Sequence, residues 1–142
     1  MDLRVVPATP GIDYIADERI REWARALVRA DIRTFARARQ RFLEKPNAKR
    51  LHVLRTSARR LRSLYDDVRA IVPVPKRGAL SRLIGLTGEA RDASALRIAL
   101  ASALDMRERD AGRRYENMLR KRERRGLRNV YRALLHLHIE AP

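Results

Sequence analysis

The fold of this chain is decided by the stretch Leu51-His52-Val53-Leu54-Arg55-Thr56-Ser57-Ala58-Arg59-Arg60-Leu61-Arg62. In a helix, which turns about 100° per residue, one face of this stretch carries a column of cationic groups: His52, Arg55, Arg59 and Arg62. Another face, roughly 120–140° away, is apolar: Leu51, Leu54, Ala58, Leu61 and Tyr65. Arginines one helical turn apart repel one another. The stretch therefore predicts a helix that buries one face and presents the other to an anion.

The composition favours helices throughout. The chain has 142 residues, enough for one domain with a single core. Only 5% of the residues are aromatic, and there are only six glycines and six prolines. Strands draw on aromatic and β-branched residues, and long helices tolerate few glycines or prolines. We therefore expect an all-α fold.

The net charge indicates the class of partner. Lys and Arg number 33 against 17 Asp and Glu, a formal net charge of +16. Only four of the 33 are Lys, so 29 are Arg, whose planar fork suits phosphate. A GC-rich genome accounts for Arg in place of Lys but not for the net excess. The excess implies a polyanionic partner, which leaves nucleic acid, polyphosphate and an anionic membrane surface open.

Several functional classes lack their signatures. There is no cysteine, no Walker-type loop and no metal-ligand spacing among the three histidines. No nucleophile or carboxylate accompanies His52, so we expect a binding protein without a cofactor and not an enzyme. The N-terminus does not resemble a secretory signal, and no segment has the apolar length of a membrane span. A cytoplasmic location is the expectation.

The hydrophobic periodicity predicts an N-terminal extension over 1–15 and a four-helix domain over 16–142. The helices are expected at about 16–43, 48–72, 77–104 and 107–139. Asn47 is a candidate N-cap for the second helix, and Pro73-Val74-Pro75 should end it. Four helices of comparable length with short connections predict an antiparallel up-down bundle. The expected core includes Ile20, Trp23, Phe35 and Phe42 in the first helix, Leu96 in the third, and Ala111, Tyr115 and Met118 in the fourth.

Counting outward from each turn places residues of neighbouring helices at the same height. Arg33, Arg59, Arg91 and Arg122 then lie in roughly one layer, and Arg37 lies close to it. This predicts a basic patch across the middle of the bundle, at least between the second and third helices. Two residues of the third helix have open roles. Gly88 could admit a group close to the backbone, kink the helix or permit a tight helix crossing. Asp92 could form an internal salt bridge with Arg91 or orient an arginine of the second helix.

Two motifs in combination resemble those of the CHAD domain, the conserved-histidine α-helical domain. The first is His52-x-x-Arg55-x-x-x-Arg59-Arg60-x-Arg62, and the second, about 30 residues later, is Leu86-x-Gly88-x-Ala90-Arg91-Asp92. The resemblance covers nearly all of residues 16–139. Two departures are an inserted residue between Leu86 and Gly88, and Thr56-Ser57 where small apolar residues are usual.

The resemblance implies an all-helical domain that binds inorganic polyphosphate in a basic channel and is associated with polyphosphate granules. The implied binding residues are His52, Arg55, Arg59, Arg60, Arg62 and Arg91, while Arg33, Arg37 and Arg122 are added by the height argument alone. A full-length CHAD domain resembles two four-helix bundles, and this chain has the length of one. We therefore expect a homodimer that completes the basic surface. A nucleic-acid-binding helical protein is the alternative.

Overall fold

A computed structural model shows four helices: α1 (Ile12–Glu44), α2 (Ala48–Val68), α3 (Gly78–Ala103) and α4 (Arg109–Leu135). The structure describes the backbone of residues 12–104 and 108–139, and the side chains of 18–104, 108 and 112–139. Within these residues there is no strand, so the prediction of an all-α chain with four helices is confirmed. Residues 1–11 of the predicted extension lie outside the described part, and α1 begins before the predicted residue 16.

The helix ends follow local chemistry. Asn47 has extended backbone angles, and its side chain accepts a hydrogen bond from the Arg50 amide at 2.9 Å, which confirms it as the N-cap of α2. The Arg50 guanidinium donates to the Arg41 carbonyl near the end of α1. α2 ends at Val68 and not at the predicted residue 72. The residue before a proline disfavours helical angles, and the chain turns through residues 69–72 ahead of Pro73.

The core lies between the apolar faces of the helices. Every residue that the sequence assigned to the apolar face of α2 is buried. The buried hydrophobic residues opposite it include Val28, Phe35 and Phe42 in α1, Leu80, Leu83 and Ala90 in α3, and Leu119, Val130 and Leu134 in α4. Burying the apolar face of α2 leaves its cationic face outside this core.

In the contacts between α1 and α2, a residue before the connecting turn meets a residue at a similar distance after it. Asp31 pairs with Arg60 and the Arg41 carbonyl with Arg50, so partner numbers fall along α2 as they rise along α1. Arg97 of α3 likewise pairs with Glu123 of α4. The most extensive packing is between α3 and α4, followed by α1 with α2 and α2 with α3. α1 and α4 meet at few places, so the bundle is open along one side.

Some residues that the sequence assigned to the core are exposed. Trp23 is 60% exposed and Ile20 47%. Because Arg60 lies opposite Asp31, α2 ends opposite about residue 23 of α1, and Ile20 lies past that end. Trp23 lies about 100–140° around the helix from buried Ala24 and Val28, which turns it away from the core. Leu96, Tyr115 and Met118 are also exposed, on the part of the α3–α4 pair that extends beyond the start of α2. The side chain of Ala111 lies outside the described residues.

Candidate anion-binding cleft

A cavity of about 220 Å³ lies between α2 and α3 and is lined by His52, Arg55, Thr56, Arg59 and Arg91. We refer to it as the basic cleft. Four of its five residues are cationic or can become so. The buried neighbours Leu51, Leu54 and Ala58 hold α2 against the core and thereby fix the direction of the cationic face. His52, Arg59 and Arg91 are exposed, whereas Arg55 is half-buried.

Gly88 makes room for the Arg55 guanidinium. A Cβ atom at position 88 would lie 2.9 Å from Arg55 Nη1, closer than van der Waals contact permits. The Arg55 Nε atom is buried and has no hydrogen-bond partner. Of the three roles left open for Gly88, the structure thus supports the admission of a group close to the backbone.

The tight helix crossing is at a different glycine. A Cβ atom at Gly126 would lie 2.8 Å from both Cα and Cβ of Ala90. α3 and α4 therefore touch backbone to backbone one residue before Arg91.

Carboxylates pair with arginines elsewhere and leave the basic cleft uncompensated. Asp31 pairs with Arg60, Asp66 with Arg69 and Arg77, and Glu123 with Arg97. Across the described residues, no carboxylate lies within ion-pair distance of His52, Arg55, Arg59 or Arg91. Asp92, considered above as a partner for an arginine of α2, is exposed and makes no ion pair in the described part of the chain. The cations of the cleft are therefore available to an external anion.

The family comparison agrees with this arrangement of residues. The family model of the CHAD domain matches residues 26–140, which include all of α2, α3 and α4 and every residue of the basic cleft. The chain belongs to the CHAD domain family. No curated protein and no solved structure shows significant similarity to the chain.

Both CHAD motifs contribute to the basic cleft, but not every residue of the first motif reaches it. Arg62 is half-buried on the same face of α2, one turn beyond Arg59, and does not line the cavity. Arg60 points toward α1, where its Nε atom lies 3.0 Å from the Asp31 carboxylate. Thus Arg60 is placed in a different pair and not among the cleft residues.

The arginines added by the height argument do not join the cleft either. Arg33 and Arg37 are exposed, on the side of α1 about 180° from buried Val28 and Phe35. Arg122 is exposed on α4. It lines neither the basic cleft nor the apolar cavity that adjoins it and is described below. Equal distance from a turn gives the height of a residue but not the direction of its side chain.

Two features of the site were not predicted from the sequence: the residue Thr56 and a second, apolar cavity. Thr56 lines the basic cleft although it departs from the usual family pattern. Its spacing of four from His52 was the available signal.

The second feature is an apolar cavity of about 210 Å³ that shares His52, Arg55 and Arg91 with the basic cleft. Its remaining lining residues are Ala48, Leu51, Ala90, Ser94, Ala95, Ile98, Glu123 and Leu127. We refer to it as the apolar cleft.

Away from these clefts, Tyr65 is a titratable residue in the core of the described part of the chain. Burial raises the pKa of the Tyr65 hydroxyl above its ordinary value of 10.0, and its oxygen has no hydrogen-bond partner. Among the described residues, no group of three His, Cys, Asp or Glu side chains could hold a metal ion. None of the described helices is long and apolar enough to span a membrane.

Proposed function

We propose that this chain binds inorganic polyphosphate, or a similar polyanion, in the basic cleft without altering it chemically. The observation that carries this proposal is the set of cleft cations without carboxylate partners among the described residues. Membership of the CHAD family supports polyphosphate as the anion. Association with polyphosphate granules and a cytoplasmic location are part of the same proposal.

Recognition in this proposal depends on charge density. A polyphosphate chain carries about one negative charge per phosphoryl unit and has no base edges to read. Arg55 and Arg59 of α2 and Arg91 of α3 approach the cleft from two sides, and each guanidinium can donate two parallel hydrogen bonds to a phosphate. Successive units of a flexible chain would engage these groups in turn. Affinity should fall steeply as salt rises, as it does for other polyanions.

His52 would add a further donor at the end of the cationic column. The groups that face it across the cleft are Arg55 and Arg59 from α2 and Arg91 from α3. An imidazole carries at least one N–H group, which can donate a hydrogen bond to a phosphate oxygen. His52→Ala should therefore weaken polyphosphate binding about two- to threefold at constant pH and salt. Equal affinity in the two proteins would remove this role.

We also propose that two copies associate to complete the basic surface. The open side between α1 and α4 and the exposed Ile20 and Trp23 support an additional contact. Sedimentation equilibrium with and without polyphosphate tests this directly. A monomer under both conditions at working concentration would exclude the dimer and leave the single-copy cleft as the site.

The alternative is nucleic acid, and one observation favours it. Trp23 and Tyr115 are about half exposed, so aromatic side chains are available to stack on bases. Neither residue lines the basic cleft. The deciding experiment is competition between long-chain polyphosphate and duplex DNA or RNA at matched charge and salt. We expect polyphosphate to compete far better, and equal competition would support the alternative.

A further inference from the structure

The apolar cleft has no role in binding an inorganic chain. Its wall is formed by aliphatic side chains of three helices, among them Leu51, Ile98 and Leu127. Ile98, which lines this cleft, is 57% exposed. An inorganic phosphate chain has no apolar part, and burying apolar protein surface requires an apolar group opposite it. The cleft therefore indicates a ligand that is more than phosphate.

The two clefts adjoin each other. His52, Arg55 and Arg91 line both, so a ligand whose anionic end sits among these cations can extend directly into the apolar cleft. The polar groups on the far wall favour one orientation. Glu123 lines the apolar cleft and is held by Arg97 at 3.0 Å. Its carboxylate disfavours a phosphate at that end and leaves the cationic end for the anion.

The volume bounds the size of the apolar group. The apolar cleft holds about 210 Å³. An aliphatic cavity of about 150 Å³ is enough to bind a six-carbon ring. A ring or a chain of about six carbons therefore fits within the cleft.

We propose that the two clefts form one site for a phosphate monoester with an apolar group of about six carbons. The phosphate occupies the basic cleft, and the apolar group lies against Ile98 and Leu127. The proposal rests on the proposed function, because the same cations hold the phosphate. It extends that function from inorganic chains to small organic phosphates.

Calorimetric titration with methyl, hexyl and phenyl phosphate tests the proposal, and the last two separate a chain from a ring. Complete burial of a methylene group is worth roughly fourfold in affinity. The cleft is open on one side, so we expect about twofold per methylene and about 30-fold for hexyl over methyl phosphate. Equal affinity for all three esters would overturn the proposal.

Ile98→Ala and Leu96→Ala provide a matched pair of variants. Both residues are exposed and lie on α3, but only Ile98 lines the apolar cleft. Ile98→Ala should lower the hexyl-to-methyl ratio at least threefold, while Leu96→Ala should leave it unchanged. The same loss in both variants would contradict the assignment. A hexyl-to-methyl affinity ratio that is preserved in Ile98→Ala would also overturn the proposal. If this variant in addition dissociates a dimer of the wild type, Ile98 belongs to an interface.

Inorganic tripolyphosphate separates this proposal from the proposed function. If tripolyphosphate binds and Arg59→Ala weakens that binding, while hexyl and methyl phosphate bind equally, the apolar site fails and the polyanion site stands. If Arg59→Ala leaves tripolyphosphate binding unchanged, the basic cleft is not the phosphate site and both proposals fail.

Discussion

The two sides of α2 carry the same kind of residue in opposite electrostatic settings. On the side facing α1, Arg60 lies 3.0 Å from the Asp31 carboxylate, whose side chain is only 10% exposed. On the side facing α3, Arg55 and Arg59 lie in a cleft that no described carboxylate reaches. Thus the placement of the few acids, more than the placement of the many arginines, distinguishes a structural contact from a candidate binding site.

The largest expected effect comes from removing the two cleft arginines of α2. Hydrogen bonds between charged groups contribute about 1.5–3 kcal/mol each. The double variant Arg55→Ala/Arg59→Ala should therefore bind polyphosphate at least about 100-fold more weakly, as measured by calorimetry at constant salt. The charge-matched control is Arg33→Ala/Arg37→Ala on the outer side of α1, for which we expect less than about threefold.

A similar loss in both double variants would mean that binding follows net charge and not a site. Arg55 is half-buried, so its removal could also affect folding. The single variant Arg59→Ala changes an exposed residue and should still lose about tenfold in affinity, which keeps the test independent of stability.

The next largest effect on binding is expected when a carboxylate is introduced into the basic cleft, as Asp31 provides one for Arg60 on the side of α2 that faces α1. Thr56→Glu places an acid among Arg55, Arg59 and Arg91. It should lower polyphosphate affinity about tenfold, because the new charge pairs with the cations and repels the ligand. The neutral variant Thr56→Gln should stay near the wild type. If Thr56→Glu and Thr56→Gln bind polyphosphate with equal affinity, the free cations of the basic cleft do not determine binding.

A smaller effect, with opposite signs in two measurements, is expected at Gly88. Alanine in a helix interior is more favourable than glycine by up to about 1 kcal/mol, and the nearest atom is the mobile end of Arg55. Gly88→Ala should keep or raise the melting temperature while displacing Arg55 and weakening polyphosphate binding about fivefold. Gly85→Ala is the control, because a Cβ atom there meets nothing within 4 Å. It should be stabilising with unchanged binding.

If Gly88→Ala binds as tightly as Gly85→Ala, the close approach of Arg55 to α3 has no bearing on binding. If Gly88→Ala instead lowers the melting temperature by many degrees, the Arg55 guanidinium does not move aside and the helix packing is disturbed.

The smallest effect concerns an unpartnered group on the core face of α2. Burial raises the pKa of Tyr65, so the folded state resists ionisation of the hydroxyl while the unfolded state ionises above about pH 10. Stability should therefore fall as the pH rises beyond 10, and less so in Tyr65→Phe. At neutral pH, Tyr65→Phe should be up to about 1 kcal/mol more stable, since it removes a buried hydroxyl without a partner.

Chemical denaturation at pH 7 and pH 10.5 measures both parts of this prediction. Polyphosphate binding by Tyr65→Phe should equal that of the wild type. A destabilised Tyr65→Phe at pH 7 would show that the hydroxyl has a partner in solution. An equal loss of stability at pH 10.5 in the variant and the wild type would show that Tyr65 is not the group responsible.

The sequence predicted the features that depend on local periodicity. The apolar face of α2, its N-cap Asn47 and the convergence of both CHAD motifs all follow from residue spacing. The exposure of Trp23 could not be predicted, because it depends on which side of α1 packs against the other helices. The direction of Arg33 and the pairing of Arg60 with Asp31 also depend on how helices rotate against each other, which spacing from a turn does not determine.

The most direct test of the central claim is a crystal structure of the chain with tripolyphosphate at moderate salt. Phosphate oxygen atoms should lie within hydrogen-bond distance of the guanidinium groups of Arg55, Arg59 and Arg91. Arg60 should remain paired with Asp31. Phosphate bound at Arg33 and Arg37, or along the basic run 120–125 of α4, with an empty basic cleft would contradict this claim.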